Sequence, residues 1–315
     1  MILPAGLFAL GLVGLVLGGD FLVKGAVGLA QRVGISPLII GLTIVAFGTS
    51  APELLISLDA ALGGSGGLAV GNVVGSNIAN VLLVLGVPAM ILPIVCDQDG
   101  VHRTIYFLLA VTLLFVWMMW DGTISRVDGF VLLGALAVFL GQQFLRARRE
   151  RDALVADIED EVGAVPQEVW KVALLLLIGL VLLPVGARLT VDSAITIATA
   201  LNLSKEVIGL TIVAIGTSLP ELATGVMAAR SGESSVGIGN VVGSNFFNIA
   251  AITGITAATV PLPVDTHILS FDVWVMLGAT VLLAVLALTH YRIARWTGAA
   301  LLAGFVVYLG VTASF

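Results

Sequence analysis

Two glutamates, Glu53 and Glu221, sit inside long apolar runs and share one local signature, Gly-Thr-Ser-x-Pro-Glu. Thr49 and Ser50 precede Glu53 by four and three residues, and Thr217 and Ser218 stand in the same relation to Glu221. On a helix that spacing puts two hydroxyls and a carboxylate on one face. Pro52 and Pro220 adjoin the glutamates. Proline has no N–H and its ring clashes with the carbonyl four residues back, so the carbonyls of Gly48 and Gly216 lose their helical partners. A bound cation could satisfy them. Asn72, Ser76 and Asn80 recur every four residues, and Asn240, Ser244 and Asn248 repeat that ladder. The donor set is therefore all oxygen, which suits hard cations such as Ca2+ and Na+; zinc or copper would want histidine or cysteine. His102, His267 and His290 all fall at expected span ends or loops. Two carboxylates balance one Ca2+ or two Na+, and competition for the same oxygens would couple the two ions.

The signature belongs to a duplication. Residues 41–54 and 209–222 match at 12 of 14 positions, at an offset of 168. Residues 71–80 and 239–248 keep that offset and match at 8 of 10. Small and polar residues also glue membrane helices together, and Gly71, Gly75, Gly239, Gly243, Asn77 and Asn245 are open to that reading. A carboxylate without a cationic partner is too costly in hydrocarbon to serve as glue, so Glu53 and Glu221 mark a site.

These residues need a membrane-embedded scaffold. Of 315 residues, 59% are hydrophobic and 11% charged, against about a quarter charged in a soluble domain. A span takes roughly 20 apolar residues. The expectation is an all-α integral membrane protein with spans near 3–31, 37–62, 68–93, 102–120 and 125–145, then 169–198, 205–230, 236–261, 270–289 and 293–313. The first segment lacks a basic start and a cleavage site, and reads as a retained span. Residues 1–145 and 169–315 form two five-helix repeats joined by a linker, 146–168. That linker is arginine-rich, then acidic at 157–161, without the spaced ligands and glycine of a calcium loop. One cysteine, Cys96, excludes internal disulfides and cysteine metal clusters, and a net charge of −6 gives no sign of nucleic-acid binding.

Orientation follows from the basic residues. With the N-terminus outside, inner loops receive Arg32, Arg103, Arg146, Arg148, Arg149, Arg151, Lys171, Arg230, Arg292 and Arg295, and outer loops only Arg126 and Lys205. That bias predicts N-out and C-out with a cytoplasmic linker. An odd five spans per repeat makes the second repeat enter upside down, so the two signatures approach mid-membrane from opposite faces. Inverted repeats with matching helix breakers point to a secondary transporter's binding site. Asp20 and Lys24 in span 1, and Arg188 and Asp192 in span 6, pair at i,i+4 with reversed charge order. Local pairing or snorkelling explains them, or they help hold these spans against the rest.

The duplicated Gly-Thr-Ser-x-Pro-Glu and Gly-Asn-x-x-Gly-Ser-Asn-x-x-Asn motifs resemble the α-repeats of the Na+/Ca2+ exchanger family, of the prokaryotic type without a regulatory domain. The resemblance spans the whole chain. It implies a Ca2+/Na+ transport site on spans 2, 3, 7 and 8. Glu53 and Glu221 would be shared by both ions. Thr49, Ser50, Ser76, Thr217, Ser218 and Ser244 would add hydroxyls, Ala46 and Ala214 carbonyls, and Asn80 and Asn248 amides. Spans 1 and 6 would slide to open the site to alternate sides. K+-dependent relatives use an aspartate at one of the two amide positions, so the amides speak against a K+-dependent design. A linker of 23 residues holds no calcium-sensing domain.

The resulting expectation is a Na+/Ca2+ antiporter in the plasma (inner) membrane, extruding Ca2+. It is no enzyme, it has no cofactor, and its partners are the two ions and the bilayer. Ca2+/H+ exchange, or exchange of another divalent cation, through the same two glutamates is the alternative; burial disfavours the charged form of a carboxyl and lets protons compete. An intramembrane serine protease would need a base near Ser50 or Ser218, and no histidine is expected within a span. A channel would use similar oxygens, but as a ring from several subunits.

Overall fold

The computed structural model describes residues 2–96, 100–158, 168–201, 214–289 and 292–313. Asp97, Asp99, Lys205, His290, residues 159–161 of the acidic run, and the start of the span expected at 205–230 lie outside them. The described chain is helical, with four two-residue strands. The first half holds α1 (Ile2–Val33), α2 (Pro37–Thr49), α3 (Ala51–Leu62), α4 (Gly66–Ile91), α5 (Val101–Met118) and α6 (Arg126–Ile158). The second holds α7 (Val169–Ala200), a helical turn Ala214–Gly216, α8 (Leu219–Arg230), α9 (Ser234–Thr259), α10 (Ile268–Leu288) and α11 (Arg295–Thr312).

Among the described residues, eight of these helices are long and apolar enough to cross a membrane. The pair α2 and α3, bent by 43° at Ser50, passes the same test together and makes a ninth if it is one broken span. The bend has a local cause: Ser50 leaves the helical region (φ −85°, ψ 1°), and Pro52 lies in the first turn of α3, where its missing N–H is harmless. Ser218 does the same before α8 (φ −88°, ψ 7°).

Burial ranks the helices. Over an apolar stretch of 18 residues, α4 is 78% and α9 89% buried, whereas α6 and α11 are only 17% buried. The two Asn-Ser-Asn helices thus form the middle of the bundle, and the polar signatures lie deep within it. Phe139 of α6 stacks on Phe246 of α9 at 4.1 Å between centroids, closing the core on that side. The long helices α1 and α7 lie along each other at one edge. A Cβ on Gly179 would come 2.7 Å from the Leu22 nitrogen, and one on Gly186 2.8 Å from the Leu15 nitrogen. Glycine is what lets these backbones approach so closely.

Short strands tie the loops. β1 (Ile94–Val95) pairs antiparallel with β4 (Arg292–Ile293), and β2 (Thr123–Ile124) with β3 (Leu262–Pro263). One boundary differs from expectation. The span placed at 125–145 continues as α6 to Ile158, so the linker begins as helix. Its alanine, arginine and glutamate favour helix, and Arg146–Glu150 (2.8 Å) and Arg148–Asp152 (3.9 Å) pair at i,i+4.

Candidate cation site

Each glutamate sits in the first turn of a half-helix that starts mid-bundle, Glu53 in α3 and Glu221 in α8. Helix N-termini carry partial positive charge and favour a carboxylate there. The preceding segments end beside them and present carbonyl groups. Thr49 and Ser50 close α2, Thr217 and Ser218 precede α8, and α4 and α9 run past with Ser76, Asn80, Ser244 and Asn248. At Asn80 and at Asn248 the central helices widen into a π-helical turn, 80–84 in α4 and 248–253 in α9. Such bulges free backbone groups and often mark functional sites.

The glutamate side chains are 1% exposed. Among the described residues, no lysine, arginine or histidine lies within ion-pair distance of either. Oε2 of Glu53, Oε2 of Glu221, Oδ1 of Asn80, Oδ1 of Asn248 and Oγ of Ser218 are buried and have no hydrogen-bond partner among the described residues. Leaving one such acceptor unsatisfied costs about 1–3 kcal/mol, more for a charged group. Unsatisfied oxygens gathered on four elements are the donor set that a hard cation coordinates.

Contacts between the repeats are lopsided. Ser50 Oγ donates to Glu221 Oε1 at 3.2 Å, but Ser218 makes no return bond to Glu53. The Thr49 hydroxyl lies 3.3 Å from the Ala46 carbonyl, 3.1 Å from Asn240 Oδ1 and 3.4 Å from Ser244 Oγ. Ala214 starts the helical turn before Thr217. Two residues outside the expected ligand set emerge. Asn72 Nδ2 donates to the Glu53 carbonyl (3.5 Å) and Ser57 Oγ (3.0 Å), and Asn240 Nδ2 to the Glu221 carbonyl (3.5 Å). They stand on the same four-residue ladders as the expected ligands, which was the signal available for them.

The model of the sodium/calcium exchanger protein family matches residues 3–145 and 171–313. The chain belongs to the sodium/calcium exchanger family. It is 38% identical over 315 residues to the Escherichia coli inner membrane protein YrbG, covering 99% of this chain and 97% of the relative. The sodium/calcium exchanger MaX1 of Methanosarcina acetivorans is 35% identical, covering 96% of both chains. Among solved structures, the sodium-calcium exchanger NCX_Mj soaked with Na+ and Sr2+ superposes with a TM-score of 0.84, at 34% identity and 98% coverage of both chains. The chain is thus a multi-pass integral membrane protein and a cation/Ca2+ antiporter.

Of the expected site residues, Thr217 borders a cleft. This cleft of about 520 Å3 opens between α3 and α7, lined by Leu55, Ile56, Leu180, Arg188, Val191 and Asp192 among others, and reaches Thr217 and Gly216. The pseudosymmetric gap between α8 and α1 is shut. A Cβ on Gly19 of α1 would come 2.9 Å from the Ala223 carbonyl of α8. Arg188 and Asp192 pair at 3.6 Å on the cleft wall, and Lys24 and Asp20 pair at 2.7 Å on α1.

Proposed function

We propose that the chain is a Na+/Ca2+ antiporter that works by alternating access, extruding Ca2+ at the plasma (inner) membrane on the inward Na+ gradient. The observation that carries this is the pair of buried glutamates without basic partners, ringed by unsatisfied oxygens. Glu53 and Glu221 would bind both ions. Thr49, Ser50, Ser76, Thr217, Ser218, Ser244, Asn80 and Asn248 would add side-chain oxygens, and Ala46 and Ala214 carbonyls.

The architecture we infer is ten spans, N-out and C-out, with inverted repeats at 1–145 and 169–315 and a cytoplasmic linker at 146–168. The strand pairs support the count. Paired strands lie on one face of the membrane, so an even number of crossings must separate them. Between β1 and β4 stand α5, α6, α7, α9 and α10, and between β2 and β3 stand α6, α7 and α9. Both sets are odd, which supports one further crossing between α7 and α9, where α8 lies. With N-out, the open cleft faces outside and the closed gap faces the cytoplasm. Sliding of the α1–α7 pair would exchange them.

Proton coupling is the competing reading, because two buried carboxyls without basic partners can also carry protons. Uptake of radioactive Ca2+ into vesicles decides between them. Uptake driven by an outward Na+ gradient at equal pH is expected; uptake that ignores Na+ and follows a pH gradient would overturn the Na+ reading.

A further inference from the structure

The two repeats are nearly identical around the glutamates, yet the bonds they make are not. Asn240 and Asn72 are equivalent, and both reach the backbone carbonyl of their repeat's glutamate through Nδ2 at 3.5 Å. Only Asn240 uses its remaining oxygen: Oδ1 accepts the Thr49 hydroxyl at 3.1 Å. The mirror contact, Thr217 to Asn72 Oδ1, is absent among the described residues, and both side chains are half-buried where Thr49 and Asn240 are 1% and 0% exposed. This difference coincides with the cleft. Thr217 lines it, whereas its pseudosymmetric counterpart Thr49 belongs to the side on which Gly19 of α1 packs against Ala223 of α8. A near-identical sequence with one bond made and its twin unmade describes one of two states of a symmetric device.

We propose that Asn240 and Asn72 are positioning residues that work in alternation. With the gap at α1 and α8 shut, Asn240 holds Thr49 against the glutamate of the other repeat. In the opposite conformer Asn72 takes Thr217 in the same way and Asn240 releases Thr49. Each asparagine thereby links the orientation of a site hydroxyl to which side of the site is closed. The inference rests on the alternating-access reading.

Reporter cysteines at the equivalent positions 191 and 23 test it. Val191 lines the open cleft, and Val23 is buried in the shut gap. Cys96, the single native cysteine, is replaced by serine in all variants. Labelling by a hydrophilic maleimide is followed on purified protein, so the result does not depend on orientation or on the coupling ion. Asn240→Ala is expected to slow labelling of Val191→Cys and speed that of Val23→Cys, by about fivefold, the factor one neutral hydrogen bond supplies. Asn72→Ala is expected to move both rates the other way. Thr49→Val and Thr217→Val, close in shape to the native residues, should reproduce the sign of Asn240→Ala and Asn72→Ala respectively. Both asparagine variants shifting the same way, or neither shifting, would overturn the proposal. Reporters in the otherwise native protein that fail to respond reciprocally to Na+ and Ca2+ would instead sink the alternating-access reading beneath it.

Discussion

Glu53 and Glu221 bring two carboxyls into the bundle, and their order depends on what compensates them. Removing one member of a buried charged cluster usually destabilises, but removing an uncompensated charge relieves desolvation. Glu53→Gln and Glu221→Gln should therefore cut exchange by at least about 100-fold while the cation-free protein melts no lower than the native one. The native protein should gain about 2.7 kcal/mol when Ca2+ is at roughly 100 times its dissociation constant, and both variants should lose that gain in calorimetry. A variant that still shows full Ca2+ stabilisation would remove its glutamate from the site. Cys96 offers a separate check outside the spans. Burial pushes its thiol from an ordinary 9.0 up to about 11. The folded chain then holds a proton that the unfolded chain gives up, so this stabilisation is full below pH 9 and is lost as pH rises toward 11. Cys96→Ala should flatten that part of the melting profile, and the native thiol should resist maleimide at pH 7 until the protein unfolds. The glutamates and hydroxyls were legible in the sequence because duplication repeated them at a fixed spacing. The bond from Thr49 to Asn240 was not, since it crosses 191 residues. Nor can near-identical repeats reveal which of two equivalent bonds a given conformer makes.

At the scale of elements, α1 and α7 pack as one unit, because glycines let their backbones press together. Gly179 meets Leu22, Gly186 meets Leu15, and a Cβ on Gly11 would sit 2.7 Å from the Thr190 nitrogen. Adding a large side chain must push the helices apart, and overpacking typically costs about 1–3 kcal/mol. Gly179→Leu should lower the thermal midpoint by several degrees and slow exchange, with Ca2+ stabilisation retained because the site lies on other helices. Loss of Ca2+ stabilisation equal to that of Glu53→Gln would show that this helix pair shapes the site itself. Hydropathy located these helices well because each spans an apolar slab. It ended the fifth span near 145 and gave no sign that the helix runs on to Ile158, since its continuation is polar and held by propensity and the Arg146–Glu150 pair. The break at Ser50 was anticipated from Pro52, but the π-helical turns at Asn80 and Asn248 carry no proline or glycine to announce them.

For the whole molecule, the proposed inverted duplication makes a prediction that a parallel one does not. Ser65 lies in the exposed turn between α3 and α4, and Ser231 in the corresponding turn between α8 and α9. In each, a glycine with positive φ reverses the chain, Gly64 at 84° and Gly232 at 76°, so the turns are local copies of one another. The proposed odd number of crossings per repeat would put these copies on opposite faces of the membrane. The basic residues give the direction: Arg230 flanks the second turn, and no lysine or arginine flanks the first. In intact cells, an impermeant maleimide should label Ser65→Cys, and should label Ser231→Cys only after permeabilisation. The parent protein provides a dark background, because its single cysteine is buried. Labelling of both sites in intact cells would mean that no crossing falls between α7 and α9. The strands β1 and β4 would then have to pair across the bilayer, which no hydrogen-bonded ladder can do. The reverse pattern, Ser231→Cys labelled and Ser65→Cys protected, would keep the ten spans and turn the molecule over. The cleft between α3 and α7 would then open to the cytoplasm, and the conformer described here would be the one that loads Ca2+ for export.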